Sequence, residues 1–264
     1  MQQNYTPKNK TMSKIVFITG ASSGIGAACA RKFAQGGYTL LLNARTKDKL
    51  QALKTELETT YGTDVLLLPF DVRDRKAAAE AITTLPAQYQ AIDILVNNAG
   101  LALGMDKEYE GTEENYDTMI DTNITALLMI TRLVVPGMIA RGKGHIINIG
   151  SVAGDAAYPG GSVYCATKAA VKVLSDGLRM DLVDTPLRVT NVKPGLVETN
   201  FSVTRFGGDK ERADKVYQGI KPLTGDDIAD VVYYAASAPE HVQIAEVLVL
   251  ATHQANGSLV YRKG

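Results

Sequence analysis

Short apolar runs alternate with amphipathic stretches along the whole chain, and the alternation predicts strand and helix in turn. The first apolar run, Lys14-Ile-Val-Phe-Ile18, leads into a helical stretch that extends to Gln35, and a second strand follows from Tyr38 to Asn43. Helical patterning over about 46–60 gives way to a strand Val65–Phe70, a helix over about 74–84 and a strand Ile92–Val96. The spacing predicts one long helix over about 113–140, with Met119, Ile120, Ile124 and Leu127–Ile130 on its apolar face. Its methionines read as core filling. A buried strand His145–Gly150, a helix running to about 183 with Ser162 as its N-cap, and a strand Arg188–Val192 come next. An irregular stretch to about 222, a helix near 225–237 and a strand Glu246–Leu250 complete the pattern. The strands are apolar throughout, as in a parallel sheet buried on both faces. The expected fold class is α/β: a single doubly wound parallel sheet with helices on both faces, spanning residues 13–264 as one domain.

Composition adds exclusions. Hydrophobic residues make up 45% and charged residues 21% of the chain, which suits a globular protein with a full core. Basic and acidic side chains balance at 28 each, so neither nucleic acid nor an anionic membrane surface is expected as a partner. Residues 1–12 are polar and are expected to form a flexible tail, neither signal peptide nor anchor. No apolar run approaches the ~20 residues needed to span a bilayer. Cys29 and Cys165 fall in expected helices and fit no metal spacing, so no metal site and no disulfide framework are expected. A reducing cytoplasm is the setting they fit.

The chemistry-bearing residues follow strands. After the first strand comes Thr19-Gly-Ala-Ser-Ser-Gly-Ile-Gly26, with glycines at Gly20, Gly24 and Gly26. Glycines let the backbone turn tightly, and the following helix presents free N–H groups to a pyrophosphate; a bare βα connection would also use them. The second strand ends at Ala44-Arg45-Thr46, where dinucleotide folds that take NAD carry an acid for the ribose hydroxyls. A guanidinium in that place suits a 2′-phosphate instead, so Arg45, aided by the Thr46 and Ser23 hydroxyls, points to NADP; an exposed Arg opening the next helix is the plainer alternative. Further on, Tyr164 and Lys168 stand four apart on one helix face. A nearby ammonium favours the phenolate, which would bring Tyr164 into acid–base range, and Ser151 at a strand end could hold a substrate oxygen beside it. Taken alone, Tyr-x-x-x-Lys is more often a surface helix pair. His145 opens a strand and reads as structural, while Tyr158 lies in the Ser151–Tyr164 loop without a cation at helical spacing.

Thr19-Gly-Ala-Ser-Ser-Gly-Ile-Gly26, Asn97-Asn-Ala-Gly100, Asn123, Ser151, Tyr164-x-x-x-Lys168 and Pro194-Gly195 together resemble the short-chain dehydrogenase/reductase family over nearly the whole chain. The resemblance implies a Rossmann-type sheet and the catalytic set Asn123, Ser151, Tyr164 and Lys168. Tyr164 would donate or accept the proton, and Ser151 would position the reacting oxygen. Lys168 would hold the nicotinamide ribose and bias the phenol, and Asn123 would anchor a relay water. It implies NADP(H) contacts from Gly20, Ser22, Ser23, Gly24, Ile25 and Gly26, then from Arg45 and Thr46. Asp71 with Val72 would flank the adenine; Asn98, Ala99, Gly100, Tyr164, Lys168, Pro194, Gly195, Val197 and Thr199 would complete the cofactor set. A homotetramer pairing helices about 113–140 and 162–183 is also implied.

More narrowly, Asn97–Met105, Met119–Asn123, Gly144–Ser151 and Pro194–Val197 resemble NADP-dependent 3-hydroxy acid dehydrogenases, which act on serine, allo-threonine and related acids. The segment 198–212 is only loosely similar. Within it Arg205, beside Gly207-Gly208, could swing over the site and pair with a substrate carboxylate, or be a solvated loop charge. The rival expectations are reduction of an uncharged ketone, sugar or acyl thioester, and a non-catalytic NADPH sensor.

Overall fold

A computed structural model describes residues 13–263; the tail expected at residues 1–12 lies outside them. The strands are β1 (Ile15–Ile18), β2 (Thr39–Ala44), β3 (Val65–Pro69), β4 (Ile92–Asn97), β5 (His145–Ile149), β6 (Arg188–Pro194) and β7 (Glu246–Val249). They form a sheet in the order β3-β2-β1-β4-β5-β6-β7, every pair parallel. Winding reverses between β1 and β4, and a crevice opens there at the carboxyl ends of the strands.

The helices are α1 (Gly24–Gln35), α2 (Lys47–Tyr61), α3 (Arg75–Thr83), α4 (Glu113–Ile120), α5 (Ala126–Arg141), α6 (Ser162–Asp181), α7 (Asn200–Arg205), α8 (Lys210–Lys215) and α9 (Gly225–Ser237). Because neighbouring strand residues point to opposite faces, the apolar strands feed two cores. Val16, Ile18, Leu40 and Leu42 pack with Phe33 of α1, Leu50 and Leu57 of α2 and Ile228 and Val232 of α9. Phe17, Leu41, Leu95 and Ile146 pack with Ile82 of α3 and with Ile130, Val134 and Met138 of α5. Each such fully buried side chain contributes roughly 1.5–3 kcal/mol relative to exposure.

Four expectations are corrected. The helix expected over 113–140 is broken by a π turn, Asp121–Thr125, between α4 and α5. The wider turn changes the phase of the helix, so Met119 and Ile130 reach the core while Ile120 and Leu128 stay exposed at 42% and 44%. Taken as one stretch, Glu113–Arg141 is long and apolar enough to cross a bilayer by length and composition, against the expectation that no run is. Its burial of Ile130, Val134 and Met138 against the sheet accounts for that composition. Ser162 is the first residue of α6 and not its cap: Gly161 precedes it, without a side-chain capping bond. Finally, the stretch expected to be irregular to about 222 contains α7 and α8, each capped by a side chain, Thr199 and Asp209.

Candidate active site

The turn after β1 brings two backbones closer than any side chain allows. At Gly26 an added Cβ would sit 2.4 Å from the Gly20 carbonyl oxygen and 2.5 Å from Asn98 Nδ2. Gly20 has φ +65°, and its Cβ would lie 2.9 Å from Ala99 Cα. Asn98 fastens the turn by donating through Nδ2 to the Thr19 and Gly20 carbonyls at 2.9 and 3.1 Å. Ser23, the N-cap of α1, makes no capping bond, and Ala27 is the first residue to donate back, to the Ser23 carbonyl. The N–H groups of Gly24, Ile25 and Gly26 are therefore left for an anion at the positive end of the helix. This cradle fits a dinucleotide pyrophosphate.

Beyond β2, Arg45 is exposed at the rim and makes no ion pair among the described residues. Asp71, across the groove, is held below the usual carboxylate value first by hydrogen bonds from the Arg73 guanidinium, the shorter ion-pair contact being 2.8 Å. The charge of Arg45 adds to that lowering. With Asp71 occupied by Arg73, Arg45 keeps its charge for a ligand.

The expected catalytic set meets at the carboxyl ends of β4 and β5 and the start of α6. Ser151, Tyr164 and Lys168 are buried at 9%, 8% and 6% exposure. A Cβ on Gly100 would lie 3.2 Å from Asn123 Oδ1 and 3.4 Å from Lys168 Nζ, so these two side chains converge there. Lys168 Nζ donates to the Ile149 carbonyl at 2.8 Å. Burial pushes this ammonium down to about 8. Tyr164 departs from expectation. Burial raises its phenol above the ordinary value of 10.0, opposed first by a hydrogen bond from the Ser151 hydroxyl and then by the charge of Arg205. The Lys168 ammonium is turned to the end of β5, and the cation over the phenol ring is Arg205, 5.7 Å from its centroid.

Asn123 sits inside the π turn and is committed to the frame. Oδ1 accepts from the Leu101 N–H at 2.9 Å, while Nδ2 donates to the Leu101 carbonyl and to Thr167 Oγ1 at 2.8 and 3.0 Å. Both amide donors are used, which leaves a relay water only an acceptor position on this side chain. His145 is structural as expected: it is buried, its Nε2 lies 2.7 Å from Thr190 Oγ1, and burial pushes the ring down to about 3.

All these elements border one cleft of about 690 Å³, within the range of ligand-binding cavities. Its lining includes every cofactor, substrate and catalytic residue expected from the sequence except Gly26 and Asn123, which stand behind the wall. The cleft also takes in Arg73, Met105, Gln254 and Arg262, which sequence reasoning missed. Arg73, two residues beyond Asp71 in a turn, carried a local signal. Gln254 carried none: it reaches the cleft by accepting the Leu196 N–H at 2.8 Å, 58 positions away in the chain.

Residues 14–209 match the family model described as short chain dehydrogenase. An NADP-dependent 3-hydroxy acid dehydrogenase of Schizosaccharomyces pombe is 45% identical over 251 residues, covering 95% of this chain and 97% of that protein. The protein of the same description from Salmonella typhi is 47% identical over 246 residues, covering 93% and 98%. Among solved structures, the closed form of a serine dehydrogenase complexed with NADP+ is similar with TM-score 0.88 and 44% identity, covering 95% of this chain and 100% of that one.

Proposed function

The chain belongs to the short-chain dehydrogenase family, and on that premise we propose that it interconverts a small 3-hydroxy acid and its 3-oxo acid or semialdehyde, using NADP(H). The single observation that carries the reading is the guanidinium of Arg205, without an ion pair among the described residues, lying over the ring of Tyr164. A carboxylate one carbon from the reacting alcohol would sit there. When bound, NADP supplies the acceptor or donor of hydride.

The chain's own residues do the rest. Gly20, Ser22, Ser23, Gly24, Ile25 and Gly26 hold the pyrophosphate end, and Arg45 with Thr46 holds the 2′-phosphate. Asp71, Val72, Asn98, Ala99 and Gly100 frame the adenosine, with Pro194, Gly195, Val197 and Thr199 along the opposite side. Ser151 holds the substrate oxygen and Tyr164 Oη takes the alcohol proton in oxidation or returns one to the carbonyl in reduction. Burial keeps Tyr164 protonated at neutrality, so it is ready to act as the acid in reduction, and oxidation speeds up as the medium becomes alkaline. Lys168 holds the ribose, and Asn123 fixes the Leu101 and Thr167 positions around it.

The reading extends to a cytoplasmic homotetramer of one catalytic domain per chain. Ile120, Leu128 and Ile139 on α4–α5 and Val173 and Met180 on α6 are exposed apolar residues that such pairing would cover. Cys29 and Cys165 are free and buried, which suits a reducing compartment.

The test is NADP⁺ reduction with L-serine, L-allo-threonine, 3-hydroxyisobutyrate, 3-hydroxypropionate and neutral secondary alcohols, each repeated with NAD⁺. Turnover confined to the acids with NADP⁺ is expected. Activity on neutral alcohols alone refutes the acid assignment, and silence with NADPH still bound favours a sensor.

A further inference from the structure

Arg205 is not a free loop charge that swings into place. Its Nε donates to the Gly104 carbonyl at 3.0 Å and its backbone carbonyl accepts the Gly104 N–H at 2.9 Å. Its Nη1 donates to the Tyr158 hydroxyl at 2.9 Å. Neither acceptor is charged, so the guanidinium has no counter-charge among the described residues, and Nη2 donates to none of them. The two tyrosine rings bracket the cation, with centroids 5.5 Å away at Tyr158 and 5.7 Å at Tyr164. A planar guanidinium presents its donors in a fixed fork, so pinning Nε and Nη1 also fixes where Nη2 points.

Tyr158 is itself held. Its carbonyl accepts the Gly161 N–H at 3.0 Å, and its ring packs so closely on Gly161 that no Cβ could stand there. Burial raises its phenol above the ordinary value, so it remains a neutral acceptor. The hydroxyl accepts from the arginine at 2.9 Å, with Cys165 as its other polar neighbour.

The geometry points to Tyr158 as a positioning residue for substrate specificity: its hydroxyl locks Arg205 over Tyr164, so that the enzyme selects short acids in which a single carbon separates the carboxylate from the carbinol carbon. The inference rests on the 3-hydroxy acid reading and adds to it the residue that sets the anchor. Without the hydroxyl, Nη1 loses a charge-assisted bond and the fork can turn on its remaining contacts to Gly104. Carboxylate binding weakens, while the acid–base pair stays in place.

The test measures 3-hydroxyisobutyrate and its methyl ester, which differ in charge at the recognised end, at saturating NADP⁺ with wild type, Tyr158→Phe, Arg205→Ala and the double variant. Tyr158→Phe is expected to raise KM for the acid by about five- to tenfold with kcat moving by about twofold or less, and to lower the acid-to-ester preference in proportion. The double variant is expected to match Arg205→Ala alone, because the hydroxyl acts only through the arginine. Equal loss on acid and ester in Tyr158→Phe overturns the proposal and leaves Tyr158 as lining. An unchanged acid KM in Tyr158→Phe, with Arg205→Ala impaired, also overturns it while sparing the carboxylate anchor. An unchanged acid KM in Arg205→Ala removes the anchor itself, and the role of Tyr158 falls with it.

Discussion

On the wall formed by residues 19–26 the protein meets its ligand with backbone: N–H groups at the start of α1, held by glycines that leave no room for a Cβ. The wall formed by residues 196–222 lines the cleft with side chains, chiefly those of the six-residue helix α7, joined by Val216 and Tyr217 just beyond α8. The first wall is braced by contacts to strands of the sheet. The second is tied down by distant partners: Gly104 and Tyr158 for Arg205, Gln254 for Leu196, and Arg262 for the carbonyls of Val216 and Gln218. A backbone wall accepts whatever carries the same phosphates, whereas a side-chain wall can change its substrate by exchanging one residue.

Several experiments would break or sharpen that contrast. The largest effect belongs to neither wall: Tyr164→Phe should lower kcat by about 10²–10⁴-fold, while fluorescence titration shows NADPH binding retained. Loss of binding in that variant would place Tyr164 in the wall and not in the chemistry. On the backbone side, Arg45→Asp should raise KM for NADPH by about 10–100-fold and leave KM for NADH much less affected, as befits loss of a charged pair and gain of a repulsion. Equal effects on both cofactors would remove the 2′-phosphate from Arg45. On the side-chain side, Gln254→Leu should orphan the Leu196 N–H and cost about 1–3 kcal/mol, seen in thermal unfolding. It should also raise the acid KM more than the NADPH KM; the reverse would mean that the C-terminal turn serves the cofactor.

The smallest effect concerns Lys168, on the floor between the walls. Its folded value of about 8 lies below the ordinary 10.5, so between those values the unfolded chain holds the proton more tightly. Stability from this group therefore rises with pH through the window of about 8 to 10.5, and below it the buried charge is a standing penalty. Lys168→Met should melt a few degrees higher than wild type at about pH 7.5, in cofactor-free protein, with the advantage shrinking as the pH approaches about 10. A constant difference across that range would refute the titration.

The contrast also explains what was legible in the sequence. The glycine turn could be read because a close backbone approach admits only one residue type at fixed spacing. Tyr164 and Lys168 could be read because positions four apart share a helix face. Arg45 was visible as a cation where an acid is usual. The pinning of Arg205 was not legible, since its partners lie 101 and 47 positions away and meet it only through the fold. The same holds for the orientation of Lys168 toward the Ile149 carbonyl and for the burial that raises Tyr164. The π turn at Asn123 escaped because no residue type announces it: the apolar pattern of α4 and α5 runs on through it with only a change of phase.

The burial of Lys168 has a consequence for anyone trying to improve this protein. Variants selected only for heat tolerance would drift toward an uncharged residue at 168, gaining durability while losing the group proposed to grip the ribose. Durability and turnover compete at this one position, so a selection that keeps both must be run with the cofactor present.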